Sequence, residues 1–114
     1  MCQVDVIDWQ ALKDNCAGDE ALVKEIIELF RKEGPVLLSD VKSAVGSREP
    51  VAIKRTAHRL KGALVSLGAH SATSLAKDLE LAGSQNDLSR VPELQTQLEI
   101  EMSKLLGVLQ SRGA

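Results

Sequence analysis

An all-α fold, an antiparallel four-helix bundle with a short extra N-terminal helix, follows from three observations on this 114-residue sequence. Apolar residues return every three or four positions in four long segments, the spacing that gathers them on one side of a helix. The Gly and Pro residues sit mostly between those segments, so the connections are short. No stretch alternates apolar and polar residues as a half-buried strand does, and no internal repeat occurs. Helices with one apolar face and short loops bury those faces by packing antiparallel around a shared core. The length suits one domain, residues 1–114, with one core.

Asp8 predicts an N-cap for a short helix from Trp9 to about Asn15, with Leu12 turned inward. Ala17-Gly18 ends it, and Asp19 caps the second helix. There Leu22, Ile26, Leu29 and Phe30 give the inward spacing, which continues through Leu37, Val41 and Ala44/Val45. Gly34-Pro35 interrupts this run. Proline removes a helix hydrogen bond and its ring meets the carbonyl four residues back. Because the apolar phase survives Pro35, one long kinked helix is predicted. Gly46-Ser47 closes it. Ser47 or Glu49 starts the third helix, with Pro50 in its first turn. That helix runs to about Leu67 and stops at Gly68, in the left-handed conformation glycine adopts freely. The fourth runs from about His70 to Ala82, with Ala72, Leu75, Ala76 and Leu79 inward. So little chain separates it from the third that the two must form a tight hairpin. Gly83 to Asp87 reads as a loop. The last helix, about Val91 to Gln110, carries Val91, Leu94, Leu98, Met102, Leu105 and Leu109 inward and Pro92 in its first turn.

Composition removes several function classes. Hydrophobic residues make up 44%, with Trp9 and Phe30 the only aromatics, a globular helical balance rather than a disordered one. No apolar run approaches the roughly 20 residues that span a bilayer. Met1-Cys2-Gln3-Val4-Asp5 lacks the basic and apolar regions of a signal peptide, so a cytoplasmic protein is expected. Cys2 and Cys16 make neither a disulfide framework nor a zinc site, and read as free thiols. A net charge of −2 does not favour nucleic acid. The charge is uneven, however. Between Arg48 and Lys61 lie Arg48, Lys54, Arg55, Arg59 and Lys61 against the single anion Glu49, a balance that suits an acidic partner surface. There is no glycine-rich phosphate loop and no His-Glu-x-x-His. His70 falls on a different helix from His58, so no two-histidine metal site is suggested. Ser66, Ser71, Thr73 and Ser74 lack the base and orienting group of a triad. The acid pairs Asp78/Glu80 and Glu99/Glu101 read as charged bundle surface. An enzyme with its own cleft, metal or cofactor is not expected.

The third helix holds the chemistry. Ile53, Ala57, Leu60, Leu64 and Leu67 form its inward stripe, and His58 points roughly 140° away from that stripe's centre. Lys54, Lys61, Gly62 and Val65 share its face, with Arg55 just beside. An exposed imidazole with a reference pKa of about 6.5 is mostly neutral near pH 7 and is then a nucleophile. Nearby cations stabilise negative charge on a group that such a nucleophile takes up. Gly62 costs about 1 kcal/mol against Ala inside a helix, and what it supplies is room.

Ala57-His58-x-Leu60-Lys61-Gly62, then five residues, Gly68-Ala69, then Leu75, Leu79 and Glu80, resembles the signature of the histidine-containing phosphotransfer (HPt) domain. The helix with an internal proline and the long last helix resemble that family too. The resemblance implies a phosphorelay intermediate of two-component signalling. His58 would take a phosphoryl group from the phospho-aspartate of a receiver domain and pass it to another. Lys61 would lie near the phosphoryl group, with Lys54 and Arg55 as weaker candidates, and Gly62 would leave access. Lys54, Arg55, Arg59 and Val65 would line the binding face, completed by the neighbouring face of the second or fourth helix. The implied partners are receiver domains of response regulators and of a hybrid sensor histidine kinase, met by a monomer without an ATP site of its own. The metal for aspartyl chemistry would belong to the receiver. Dimerising histidine-kinase domains resemble His-Glu-x-x-x-Pro, whereas Arg59 follows His58 here and no Pro comes later in the helix. Two alternatives stay open: a kinase-linked phosphotransfer domain phosphorylated from ATP by a partner kinase, and an adaptor that binds receivers without carrying phosphate.

Overall fold

The described residues form five helices in the order α1 (Trp9–Asn15), α2 (Glu20–Ser47), α3 (Pro50–Leu67), α4 (His70–Ser84) and α5 (Val91–Gly113). The computed structural model describes residues 6–113, with side chains as far as Ser111. The readings of Cys2 as a free thiol and of Met1-Cys2-Gln3-Val4-Asp5 as lacking a leader lie outside the described residues. Cys16 is a free, buried thiol. Asp8 caps α1 by accepting from the Ala11 amide, and Asp19 caps α2 by accepting from the amides of Ala21 and Leu22. Each cap satisfies donors that a helix start leaves open.

α2 is continuous through Pro35, as the surviving phase predicts. Its second half buries the expected residues, and its first half departs at Leu22 and Leu29, with Val23 and Ile27 inward beside Phe30. Val23, Ile27, Phe30, Gly34, Val41 and Ala44 are buried, whereas Leu22 and Leu29 are 38% and 55% exposed. The reason is in the packing: Phe30 lies over Gly34, where any Cβ would come within 2.8 Å of its ring. That contact rotates the stripe toward Val23 and Ile27 and turns Leu29 out.

α2 packs on α3 and α5, α4 on α3 and α5, and α1 caps one end against α2 and α3. The core they close is apolar apart from Thr56, whose hydroxyl donates to the Ala52 carbonyl. Leu60, Leu64, Leu67, Leu79 and Leu98 are fully buried, each worth about 1.5–3 kcal/mol of transfer free energy. All six inward residues expected on α5, from Val91 to Leu109, are buried. Among the described residues no helix is long and apolar enough to cross a membrane.

The α3–α4 hairpin carries two glycines that set its geometry. Gly68 takes φ +81 at the C-cap of α3, and its carbonyl accepts from the Asp8 amide at 2.8 Å, which ties α1 to the turn. Gly83 does not open a loop as expected. α4 runs on to Ser84, and Gly83 is buried inside it. A Cβ there would fall 2.6 Å from the Pro50 carbonyl oxygen and 2.7 Å from the Lys54 amide nitrogen. The two backbones therefore approach closely at this level, one turn away from both His58 and Glu80.

Candidate functional site

His58 projects from the middle of α3 with 64% of its side chain exposed. Its position follows from the helix phase: Ala57 and Leu60 on either side of it are fully buried, which leaves position 58 outward. The ring is nonetheless held. Its Nδ1 lies 2.8 Å from Oε2 of Glu80 on α4. The other carboxylate oxygen, Oε1, is 2.7 Å from Nζ of Lys61, one turn beyond His58. One carboxylate thus bridges the imidazole and the ammonium.

Glu80 is well shielded, with only 18% of its side chain exposed. Its carboxyl titrates below the ordinary carboxylate value. The hydrogen bond from Lys61 is the largest cause; partial burial opposes it, and the hydrogen bond from His58 adds to it. An ionised Glu80 can only accept. Nδ1 must then carry the proton that Glu80 receives, and in a neutral ring Nε2 keeps its lone pair. Among the described residues Nε2 has no partner within hydrogen-bonding distance. Beside it, a Cβ built on Gly62 would meet nothing within 4 Å. The arrangement is an exposed nitrogen nucleophile of fixed tautomer, next to open space.

The expected face of α3 is present. Lys54, Arg55, Arg59, Gly62 and Val65 are all exposed, Val65 by 53%. Lys61 is set apart from the other cations because its ammonium reaches across to α4. Lys54, Arg55 and Arg59 make no ion pair among the described residues. Glu80 is the residue that sequence reasoning placed wrongly, as charged bundle surface paired with Asp78. Asp78 is exposed, but Glu80 is not. Its place next to Leu79 at the end of the motif was the available signal. What hid its role was the interhelical distance, which a single helix pattern does not contain. His70 is largely exposed at the start of α4, as expected, and its Nε2 lies 3.0 Å from Oδ2 of Asp8. Among the described residues no group of three or more His, Cys, Asp or Glu side chains could hold a metal.

Comparison with known proteins bears directly on this geometry. The structure is similar to that of histidine-containing phosphotransfer protein B from Pseudomonas aeruginosa PAO1, with a TM-score of 0.88 at 22% identity over 97% of this chain and 96% of that one. It is also similar to the HPT domain of a sensor hybrid histidine kinase from Shewanella, with a TM-score of 0.80 at 18% identity over 93% and 92% of the two chains. At these identities the likeness shows a common fold. A comparison with curated protein sequences returns no match. The profile of the Hpt domain family matches residues 25–107, which include the whole of α3 and α4. The chain therefore belongs to the Hpt domain family, and its role is phosphotransfer in a two-component phosphorelay.

Proposed function

We propose that His58 is the phosphoacceptor, and that the chain takes its phosphoryl group from the phospho-aspartate of a receiver domain and passes it to a second receiver. The observation that carries this reading is the Glu80 contact, which engages Nδ1 and leaves Nε2 exposed beside Gly62. The Nε2 lone pair attacks phosphorus. The N–P bond forms as the acyl P–O bond breaks, and the aspartate leaves with the electron pair. No proton has to move, because Nδ1–H stays donated to Glu80. The phosphorylated ring becomes a cation, and the Glu80 carboxylate stabilises it electrostatically. Lys61 shares Glu80 before transfer and turns toward the phosphoryl oxygens as their charge arrives.

The partners are receiver domains, one on a hybrid sensor kinase and one on a response regulator, met in the cytoplasm by a monomer that is a single domain. The phosphoryl donor supplies the energy, and this chain has no ATP site of its own. The docking face joins the His58 face of α3 to the outer flank of α2. Lys42 of α2 lies 3.7 Å from Glu99 of α5, so the opposite flank of α2, which holds Leu29, Val36 and Asp40 by helical phase, lies toward α3.

The test is transfer of label from phosphorylated receiver domains to wild type and to His58→Gln. Acid-labile, base-stable label on wild type alone supports phosphohistidine at position 58. Equal labelling of both removes His58. Receiver binding without labelling of either would favour the adaptor alternative, and labelling only by a kinase with ATP would favour the kinase-linked one.

A further inference from the structure

The docking face is electrically and chemically polarised along α3, with His58 at the boundary. In its N-terminal half, Arg48, Lys54, Arg55 and Arg59 are all exposed, and among the described residues none makes an ion pair. Glu49 and half-buried Asp40, across on α2, are the anions set against them. Val51 in this half is 72% exposed. The other half differs. Beyond His58 come Gly62, Val65 and Ser66, all exposed, and the lysine there, Lys61, is already neutralised by Glu80. α2 turns back into α3 through Arg48-Glu49, so residues equally far from that turn run side by side. Val36 then lies level with about Lys61 and Leu29 with the end of α3. Val36 and Leu29 are 59% and 55% exposed, and Val65 is 53% exposed. The charges near them on α2 are of both signs, Lys24 and Lys32 against Glu25, Glu28 and Glu33.

We infer that this surface orients its receiver: a receiver face bearing carboxylates seats over Arg55 and Arg59, and an apolar receiver element covers Val65, Val36 and Leu29. This rests on the relay reading and specifies which receivers serve it. An apolar patch alone tolerates rotation of the partner about His58, since burial is non-directional. A basic region confined to one side removes that freedom and steers encounter. Nε2 and the acyl phosphate then meet in line. Receivers that lack acidic residues on that side are selected against by rate.

The experiment uses a panel of isolated receiver domains, phosphorylated with acetyl phosphate and differing in the charge beside the phosphorylated aspartate. Association and transfer rates are measured at several salt concentrations. Compared are wild type, Arg55→Glu/Arg59→Glu, the milder Arg55→Gln/Arg59→Gln, and Arg90→Glu/Lys104→Glu, which makes the same charge change elsewhere. All substituted positions are exposed, and circular dichroism checks the fold. The expected result is an on-rate loss of about tenfold for the Arg55/Arg59 reversal at low salt, disappearing at high salt. The Gln pair should lie between, and Arg90→Glu/Lys104→Glu should match wild type. Acidic receivers should rank fastest, and a receiver with its acidic residue changed to Lys should regain rate with the reversed variant. If wild type is bound and labelled but the two reversals behave alike, or the loss is independent of salt, the orienting role is overturned while the relay stands. If no receiver binds or labels wild type, the relay reading falls and this inference with it.

Discussion

The molecule contains two histidine–carboxylate pairs, and they differ in almost everything except distance. His58 meets Glu80 at 2.8 Å, and His70 meets Asp8 at 3.0 Å. Both rings are mostly exposed, at 64% and 71%. In the first pair the carboxylate takes Nδ1, is itself shielded, and is shared with Lys61. In the second it takes Nε2, is 44% exposed, and is engaged in capping α1. The site around His58 thus presents Nε2 to a partner, with glycine beside it. The site around His70 spends Nε2 on a contact that fastens α1 to the start of α4. An exposed histidine beside a carboxylate is not yet a phosphoacceptor. Which nitrogen is engaged, and what else the carboxylate holds, makes the difference.

Replacing each histidine breaks the comparison most directly. His58→Gln should abolish transfer, and His70→Gln should leave it unchanged. Loss of transfer in His70→Gln, measured with the fold intact, would show that the second pair also serves the chemistry. The next effect is at Glu80. Removing a charge-assisted hydrogen bond costs roughly 1.5–3 kcal/mol, so Glu80→Ala should slow transfer by about 10- to 100-fold, and Glu80→Gln, whose amide oxygen still accepts, by less. Nitrogen NMR should show the Nδ1–H tautomer of His58 in wild type and its loss in Glu80→Ala. An unchanged tautomer would mean that Glu80 only packs.

Gly83→Val tests whether helix spacing sets the pair. Overpacking against the Pro50 carbonyl should cost about 1–3 kcal/mol, lower the melting temperature, and weaken the Nδ1–H preference of His58. Gly46→Ala, in open space, should do neither. Acid pH sharpens the contrast further. Glu80's carboxyl is held below its ordinary 4.5, so its stabilising effect is complete above that value and is lost as pH falls through the folded-state titration. The melting-temperature deficit of Glu80→Gln should therefore be present at pH 7 and close below about pH 4.5; a deficit constant down to pH 3 would refute this origin. Asp8 is also held low, first by the Ala11 amide and then by His70, and works in the same direction. Because it is so exposed, Asp8→Ala should produce the smallest change, a slight melting loss without effect on transfer.

Much of this was legible in the residues themselves. The five helices, their aspartate caps at Asp8 and Asp19, the stop at Gly68 and the outward placement of His58 all follow from local rules. A helix's phase and ends are written within a few consecutive positions. On α2 the inward placement of Phe30, Val41 and Ala44 was right, but Leu22 and Leu29 were expected inward because they fit the same spacing that Val23 and Ile27 take up. Only the ring of Phe30 against Gly34 chose between them. Gly83 read as a loop for a similar reason, since glycine in a sequence marks either a turn or a close approach, and only the neighbouring helix decides which. The sequence by itself determined the outward histidine, its helix and its neighbouring cations. The tertiary structure alone decided that Glu80, 22 residues away, takes Nδ1 and Lys61 together, because hydrogen-bond geometry between two helices depends on their distance and rotation, and those are properties of the packed core.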